Sequence, residues 1–344
     1  MQTHDAHWDL TELWDGYRPT PLLPLPALAR RAGVAQVLLK WEGERPLGNF
    51  KALGGLYAGL RALARAVGAG SLTELQRNPA AARQRLLCAS DGNHGLAVAA
   101  AAARVGAACT VYLPEHVDAE RARRIVRLGA RVERVRGTYD DAVDAAAYAA
   151  QRGEGLLIAD TGPDPNDPVV ADVMAGYGLL AHELRAQLRE QGDGLSQVYV
   201  QAGVGGLAAA MADGLRDLLV GPGRIVVIEP AAAACVGHAM RNGRPERIDG
   251  DLATAADMLS CGLASAPALQ RLLAHGAVAE TVDETELAAA PTILRDCGGP
   301  ATTASGAAGI AGLLRAAADP ALRSAHGLAG TSRVLVLATE RPPD

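Results

Sequence analysis

Short apolar segments alternate with segments of helical length along most of this chain, and this alternation constrains its fold more than any other feature. Eight segments rich in leucine or β-branched residues have the length of buried strands. They are residues 36–42, 85–90, 109–114, 131–137, 155–160, 197–203, 224–230 and 333–340. Helical segments at 95–105, 119–128, 140–152 and 171–191 lie between several of them. The pattern is typical of βαβ units and predicts an α/β fold, with open, twisted, mostly parallel sheets and helices on both faces.

The length of 344 residues suggests about two domains at roughly 150 residues each. One polar stretch ends at Arg85, where a strand begins, and a cluster rich in Pro, Gly and Asp follows the strand that ends near Asp160. We therefore predict a small α/β domain over residues 85–160, inserted into a larger domain formed by residues 1–84 and 161–344.

The charge distribution disfavours several classes of partner. The 33 basic and 38 acidic side chains are interspersed and give a net charge of -5, so no basic stripe is available for a phosphate backbone. The N-terminal segment lacks the basic flank and apolar run of a secretory signal. Arg104 and Gly106 divide the longest weakly charged stretch, which reads as a helix followed by a strand. We expect a small-molecule substrate, and neither nucleic acid nor membrane.

The five cysteines indicate a reducing environment. Their number is odd, they are far apart, and no CxxC or HExxH pattern occurs. We expect reduced thiols, a cytoplasmic location and no structural zinc or other metal. The cysteines are Cys88, Cys109, Cys235, Cys261 and Cys297.

Lysine is rare in this chain, which draws attention to the segment GNFKALGG. Of the 33 basic residues only Lys40 and Lys51 are lysines, and the single phenylalanine, Phe50, precedes Lys51. Small residues follow Lys51, so its stem could reach into an apolar cleft. Desolvation there would lower the pKa of the amine and make it a nucleophile and proton carrier. We interpret Lys51 as functional rather than as an ordinary surface lysine.

The turn ASDGNHG at 89–95 follows a strand and opens a helix. Asp91 and Asn93 suit a turn or a helix N-cap, which alone could explain them. In a functional interpretation the helix-start amides and Asn93 hold an anionic oxygen, and Asp91 acts as a carboxylate base. His94 and the upstream Lys51 strengthen this second interpretation.

The glycine-rich turn QAGVGGLAAA at 201–210 could wrap a phosphate, because its backbone N–H groups and the next helix N-terminus favour an anion. A simple tight turn is one alternative. Another is a dinucleotide fingerprint, since Gly203, Gly205 and Ala208 fit GxGxxA and Glu229 ends the next strand. This region alone does not separate a nicotinamide enzyme from a phosphate site for another cofactor.

A hydroxyl ends the very apolar last strand. Thr339 stands at the carboxyl end of RVLVLATE, and a turn rich in Gly, Ser and Thr occupies residues 300–309. Side chains at the carboxyl ends of parallel strands face the crevice where α/β folds bind ligands. Thr339 is therefore a candidate ligand contact.

Together and in this order, NFKALGG, SDGNHG, AGVGG and the strand ending in Thr339 resemble the fold type II pyridoxal-phosphate enzymes of the tryptophan synthase β type. The resemblance covers about residues 17–340 and implies the two-domain fold of that family. The opening segment is similar to that of threonine and serine dehydratases. Threonine dehydratases usually have Ser-Ser-Gly-Asn-His at the turn, whereas Asp91 here precedes Gly-Asn-His, as in the 2,3-diaminopropionate ammonia-lyases. Asn49 and Ala304 depart from that pattern, replacing a small residue and a glutamate.

The resemblance implies pyridoxal 5'-phosphate, a Schiff base at Lys51, and β-elimination of L- or D-2,3-diaminopropionate to pyruvate and ammonia. Lys51 and Asp91 would be the catalytic bases for opposite faces of Cα, and Asp91, His94 and Ser305 would contact the substrate. The chain would be a homodimer. The implied cofactor contacts are Lys51, Phe50, Asn93 at the phenolic oxygen, Gly203, Val204, Gly205, Gly206 and Leu207 at the phosphate, and Thr339 at the ring nitrogen.

Other functions remain open at this point. A serine or threonine dehydratase, or a β-replacement synthase, would use the same lysine and phosphate site. A nicotinamide oxidoreductase would rest on the GxGxxA turn and Glu229. The departures at Asn49 and Ala304 also allow a homologue that binds the cofactor without catalysis.

Overall fold

The computed structural model describes residues 8–192 and 194–343. Ten strands run in chain order: β1 (Leu22–Pro24), β2 (Gln36–Trp41), β3 (Arg85–Ala89), β4 (Ala108–Pro114), β5 (Arg131–Val135), β6 (Leu156–Leu157), β7 (Leu195–Gln201), β8 (Leu219–Pro230), β9 (Val278–Val282) and β10 (Arg333–Ala338). The α-helices are α1 (Pro26–Ala32), α2 (Lys51–Val67), α3 (Leu72–Arg77), α4 (Asn93–Val105), α5 (Ala119–Arg127), α6 (Tyr139–Gln151), α7 (Pro168–Glu190), α8 (Gly206–Leu215), α9 (Cys235–Asn242), α10 (Ala266–Ala274), α11 (Glu284–Asp296), α12 (Ala304–Ala318) and α13 (Pro320–Ala325).

The contacts within the chain separate into two compact units. The first comprises Lys51–Asp160 and Pro168–Leu179 together with the described residues up to Arg18. The second comprises Pro19–Phe50, Thr161–Asp167 and the chain from Leu180 onward. The domain boundaries predicted from the sequence, 85–160 within 1–84 and 161–344, stay a prediction.

Each unit contains one sheet, and the predicted α/β class is confirmed. The first unit has four parallel strands in the order β5-β4-β3-β6. The second has six strands in the order β1-β2-β10-β7-β8-β9, of which only the β1–β2 pair is antiparallel. The carboxyl ends of parallel strands lie at one edge of a sheet, and the turns that follow β3, β7 and β10 carry the motifs singled out above.

All eight strands predicted from the sequence are present, and their ends differ by a few residues. β8 begins five residues earlier than predicted, at Leu219, whereas at 155–160 only Leu156 and Leu157 pair, in register with β3. Two strands were not predicted. β1 has three residues and ends at a proline, and β9, VAETV, is a partly exposed edge strand with polar residues. Neither has the apolar run on which the sequence prediction depended.

Helix α12 lies flat on the large sheet because its glycines allow close contact. A Cβ at Gly309 would lie 2.9 Å from the carbonyl oxygen of Tyr199, and one at Gly312 would lie 2.3 Å from Cδ1 of Ile228. Tyr199 and Ile228 are fully buried in the core of the second unit. The small residues of α12 are thus a packing requirement of this layer.

All five cysteines are free thiols. No helix within residues 8–192 and 194–343 is both long and apolar enough to cross a membrane. Over the same residues, no three His, Cys, Asp or Glu side chains are close enough together to hold a metal ion.

The second lysine, Lys40, belongs to a buried ion cluster in the second unit. Its Nζ is 2.7 Å from Oε2 of Glu183 and donates to the carbonyl oxygen of Thr20 at 2.8 Å. Arg45 binds two carboxylates, with Nη1 2.7 Å from Oε1 of Glu183 and Nη2 2.7 Å from Oε1 of Glu42. The two cations, Lys40 and Arg45, balance the two carboxylates, Glu42 and Glu183. Burial acts to raise the pKa of Glu183, but Lys40 and Arg45 hold it at about 2. The cluster joins β2, α7 and the segment that leads to Lys51.

We expect Glu183→Gln to destabilise the protein by roughly 3 to 5 kcal/mol, because a buried cation pair would lose its shared carboxylate. The measurement is the urea midpoint followed by tryptophan fluorescence. Asp217→Asn is the control, since Asp217 pairs with Arg185, also on α7, at the surface. An exposed pair contributes about 1 kcal/mol or less, so the control should unfold close to the wild-type midpoint. Equal shifts of the two midpoints would contradict this prediction.

Candidate active site

The predicted site residues are divided between the two units. Lys51, Asp91, Asn93 and His94 belong to the first unit. Phe50, residues 203–207, Ser305 and Thr339 belong to the second. Their assignment as a site stays a prediction, and the surroundings of each are described below within its own unit.

The segment that ends at Phe50, directly before Lys51, is held in an unusual conformation. Leu47 has φ 69°, a left-handed backbone that costs a non-glycine residue about 1 kcal/mol or more. On one side Arg45 is fixed by the ion cluster. On the other side, the amide of Phe50 donates to the carbonyl oxygen of Thr339 at 3.1 Å. The backbone of Asn49 also forms an isolated antiparallel β-bridge with that of Glu340. The ion pairs of Arg45 and the backbone contacts with Thr339 and Glu340 thus fix the segment directly before Lys51, which is the first residue of α2.

The amine of Lys51 is paired with a carboxylate that the sequence analysis did not single out. Nζ of Lys51 donates to Oδ2 of Asp160, and the Tyr139 hydroxyl donates to Oδ1 of Asp160 at 2.6 Å. Burial acts to raise the pKa of Asp160, but the charge of Lys51, the neighbouring His94 and the hydrogen bonds from Lys51 and Tyr139 together outweigh it, and the pKa falls well below its usual range. The expected apolar surroundings of Lys51 are therefore wrong at Nζ, where an anion stabilises the ammonium form.

Glycines allow α2 to approach α4 closely. A Cβ at Gly55 would lie 2.7 Å from Cβ of Ala97, and one at Gly59 would lie 2.7 Å from Cβ of Ala101. Gly59 and Ala101 each follow the first pair by one turn, so the two helices run in the same direction. Because Gly55 is one turn after Lys51 and Ala97 is one turn after the first residue of α4, the starts of the two helices are neighbours. This packing brings the start of α2, with Lys51, toward the start of α4.

His94, in the first turn of α4, is buried near the ion pair of Lys51 and Asp160. Its Nε2 is 2.8 Å from the carbonyl oxygen of Ile158, so Nε2 donates. Burial lowers the pKa of His94, an effect that Lys51 reinforces and Asp160 opposes. The ring is thus a neutral imidazole whose Nδ1 is an acceptor, and in the described parts of the chain this buried Nδ1 has no hydrogen-bond partner. His94 also fixes the backbone two residues before Asp160.

Helix α7 provides a second tyrosine near Lys51, Tyr177, within the first unit. A Cβ at Gly54 would lie 2.5 Å from Cε1 of Tyr177, and one at Gly176 would lie 2.7 Å from Cα of Gly54. Burial raises the pKa of Tyr177 to about 12, while Lys51 opposes this rise. Tyr177 is therefore a neutral phenol beside Lys51 at neutral pH.

Asp91 lies in the turn that opens α4. Oγ of Ser90 accepts from the amides of Gly92 and Gly95, both at 2.8 Å, and so caps the helix. Gly92 has φ 137°, which an L side chain rarely adopts. Ser90 thus contributes a cap of its own to α4, and the functional roles predicted for Asp91 and Asn93 stay a prediction.

The glycine-rich turn in the second unit connects β7 to α8. Gly205 precedes α8 with φ 98°, and no side chain from the described residues caps this helix. A Cβ at Gly203 would lie 3.0 Å from Sγ of Cys261, whereas Sγ of Cys235 donates to the Gly203 carbonyl oxygen at 3.3 Å. Cys235 and Cys261 thus pack closely on the turn. The start of α8 offers uncapped amides of the kind that bind phosphate.

Glu229 does not have the position that a dinucleotide site needs. It is fully buried, and its two carboxylate oxygens accept from the amides of Val236 and Gly237, both at 2.7 Å. Burial raises its pKa to about 7, although these amides oppose the shift. Glu229 caps α9 rather than facing a ribose, which removes the main support for a nicotinamide enzyme.

Thr339 follows β10, next to β7 in the sheet, and contacts a residue that the sequence analysis missed. Nε2 of Gln201, the last residue of β7, is 3.2 Å from Oγ1 of Thr339. Both side chains are buried. Gln201 opens the glycine-rich turn, so the pair adjoins the predicted phosphate site.

Ser305 is buried in the first turn of α12. Its Oγ accepts from the amide of Met258 at 3.1 Å and donates to Oδ1 of Asp257 at 3.3 Å. These bonds fix the loop before α10 against α12. The substrate role predicted for Ser305 stays a prediction.

Comparison with known proteins identifies relatives of this chain. A model of the family described as pyridoxal-phosphate dependent enzyme matches residues 13–340. Diaminopropionate ammonia-lyase of Escherichia coli (strain K12) is 34% identical over 253 residues, which cover 72% of this chain and 63% of that protein. An L-threonine dehydratase of Corynebacterium glutamicum is 30% identical over 230 residues, 66% of this chain and 47% of that protein. The chain thus matches less than two thirds of the length of each.

A solved structure shows the same architecture. Diaminopropionate ammonia-lyase from Escherichia coli in complex with D-serine has a TM-score of 0.86 and 28% identity, over 97% of this chain and 87% of that chain.

Proposed function

Because the chain belongs to the pyridoxal-phosphate dependent enzymes, we propose that it is a lyase that converts 2,3-diaminopropionate and water to pyruvate and two molecules of ammonia. The observation that carries the proposal is that the starts of α2 and α4 are neighbours, with an amine, Lys51, as the first residue of α2 and a carboxylate, Asp91, in the turn directly before α4. The similarity to diaminopropionate ammonia-lyase over 72% of the chain supports the substrate. We expect a cytoplasmic homodimer.

The residues present fit the cofactor. The second unit offers an uncapped helix start after Gly205 for the phosphate and a buried hydroxyl, Thr339, for the ring nitrogen. The first unit offers Lys51 for covalent attachment and Asn93, in the first turn of α4, for the phenolic oxygen. Phe50 would contact the ring. When bound, pyridoxal phosphate withdraws electrons from Cα of an amino acid, which allows an α-proton and then a β-substituent to leave.

Proton transfer would fall to two groups on opposite faces of Cα. Nζ of Lys51, once deprotonated, would take the α-proton on one face. The carboxylate of Asp91 would take it on the other, which would let one site accept both isomers. Asp160 and Tyr139 would hold Nζ in place, and a proton delivered to the β-nitrogen would let it leave as ammonia.

A substrate panel tests the proposal. The protein loaded with pyridoxal phosphate is given L- and D-2,3-diaminopropionate, L-serine, D-serine and L-threonine separately, and the 2-oxo acid and ammonia formed are measured. We expect two ammonia per pyruvate and the highest kcat/KM with diaminopropionate. One ammonia per oxo acid, with the highest kcat/KM for a hydroxy amino acid, would show a dehydratase, the second candidate, which the threonine dehydratase similarity favours. A β-replacement synthase would need a second nucleophile, and an inactive homologue would bind the cofactor without any product.

A further inference from the structure

Gln201 is a buried amide whose orientation is fixed by its surroundings. It is 3% exposed, and its Nε2 is 2.7 Å from the carbonyl oxygen of Gly306, 3.2 Å from that of Ser305 and 3.3 Å from that of Leu337. Rotating the amide by 180° would place Oε1 against three carbonyl oxygens. The NH₂ group therefore faces them, and this assignment follows from hydrogen-bond chemistry.

This orientation determines what the hydroxyl of Thr339 can do. Oγ1 of Thr339 is 3.2 Å from Nε2 of Gln201, and an amide nitrogen donates but does not accept. Toward Gln201 the hydroxyl can therefore act only as an acceptor, sharing the two N–H groups with the three carbonyl oxygens, and its own proton points elsewhere. Thr339 is 4% exposed, and over residues 8–192 and 194–343 no other side chain or backbone group bonds to this hydroxyl. A buried hydroxyl with its proton still to donate is a site for an acceptor atom of a ligand.

We propose that Gln201 is a positioning residue that makes Thr339 a hydrogen-bond donor and thereby keeps the ring nitrogen of bound pyridoxal phosphate unprotonated. The proposal rests on the proposed function in one respect, that Thr339 faces the ring nitrogen. An unprotonated ring withdraws fewer electrons from Cα than a pyridinium does. Loss of the β-substituent is then favoured over exchange of the α-proton and over transamination.

Removing the amide should change the orientation of the Thr339 hydroxyl, so that it no longer acts only as a donor toward the ring nitrogen. In Gln201→Met, which nearly conserves volume, the hydroxyl of Thr339 loses the N–H group that faces its lone pair, and the carbonyl oxygens of Ser305, Gly306 and Leu337 lose their contact with Nε2. Without this N–H group the hydroxyl of Thr339 would be free to rotate, and it would present a lone pair as well as its proton to the ring nitrogen. A protonated ring nitrogen would then be stabilised.

The experiment uses the full-length protein loaded with cofactor that carries ¹⁵N at the ring nitrogen. We expect the ¹⁵N signal of the wild type at the unprotonated pyridine position and that of Gln201→Met shifted toward the pyridinium position. With L-2,3-diaminopropionate in D₂O, α-deuterium exchange per pyruvate formed should rise by on the order of tenfold, the effect of one hydrogen bond of ordinary strength. An unshifted signal in Gln201→Met would overturn the proposal.

Gln197→Met is the matched control. Gln197 lies on the same strand, is equally buried, and donates to the carbonyl oxygens of His326 and Gly327 at 3.1 and 2.8 Å. It should lose comparable stability without moving the ¹⁵N signal, and a shift as large as that of Gln201→Met would show a general packing effect and overturn the proposal.

Two further variants cover the remaining outcomes. In Thr339→Val, adding Gln201→Met should have no further effect on the signal, because Gln201 acts through Thr339. Gln201→Asn withdraws the amide by one methylene and gives the same test if the methionine variant does not fold. The ¹⁵N signal is read without turnover, so a wild type that holds the cofactor but releases no pyruvate would contradict the proposed function and leave this reading intact. A protein that does not bind the cofactor would overturn both.

Discussion

Lys51→Ala is expected to lower pyruvate formation from either isomer of diaminopropionate by about 10³-fold or more. The substitution removes the amine that would attach the cofactor and one of the two groups that would move the α-proton. Lys51 begins α2 and is only partly buried, so alanine, a strong helix former, should preserve the helix, and the buried Asp160, which loses its ion-pair partner, keeps the hydrogen bond from Tyr139. The measurement is pyruvate release by the variant and the wild type, each loaded with pyridoxal phosphate.

The rarity of lysine supplies the control within the same molecule. Only Lys40 and Lys51 are present, so borohydride trapping of the bound cofactor followed by peptide mass spectrometry has two candidate side chains. We expect the added mass on the peptide with Lys51 only, because Lys40 is fully buried in its ion cluster. Added mass on the Lys40 peptide, or an active Lys51→Ala variant, would contradict the assignment.

The fold class could be predicted from the sequence because the central strands of the sheets have a recognisable apolar pattern. β7, β10 and the second half of β8 are largely apolar runs with both faces buried, and such runs are the pattern that parallel sheets require. β9 escaped prediction since an edge strand needs no such run. The pattern of a strand therefore reports its place in the sheet, and the strands at the edge are the least predictable.

The partners of the site residues were less accessible to prediction, because they are distant along the chain. Asp160 binds Lys51 across 109 residues, and Gln201 contacts Thr339 across 138. Asp160 ends a predicted strand and Gln201 opens the glycine-rich motif, so each had a weak local signal. What was missing was the neighbour, and only the packing of α2 on α4 and of β7 beside β10 provides it.

The same reason explains why Lys51 and Glu229 were misinterpreted in part. Small residues after Lys51 indicated an apolar cleft, yet they are small because α2 packs closely on α4 and α7. Glu229 fitted a dinucleotide fingerprint by spacing, yet its carboxylate is used to cap α9. In both cases the local pattern was real, and its cause was packing or capping rather than a ligand.

Asp91→Asn is expected to lower kcat/KM for D-2,3-diaminopropionate by about 10²- to 10⁴-fold and to leave that for the L isomer nearly unchanged. An amide has almost the same shape as a carboxylate but cannot take a proton, so the face of Cα served by Asp91 would lose its base. Lys51 would still serve the other face. Because Ser90 caps α4, the start of the helix should keep its structure without the charge of Asp91. The measurement is the pyruvate released from each pure isomer.

The control is Asp118→Asn, in the same unit, where Asp118 caps α5 by accepting from the amide of Glu120 at 2.7 Å. Asparagine caps helices as well as aspartate does, so this variant loses one carboxylate near a helix start while keeping its structure, and both isomers should react as in the wild type. Selectivity for one isomer in Asp91→Asn alone would identify a base for one face. Equal loss of both isomers would mean that Asp91 acts on a step they share, such as binding of the amino acid. In that case Lys51 would be the only proton-transfer group, and acceptance of both isomers would require each substrate to present its α-proton to the same amine.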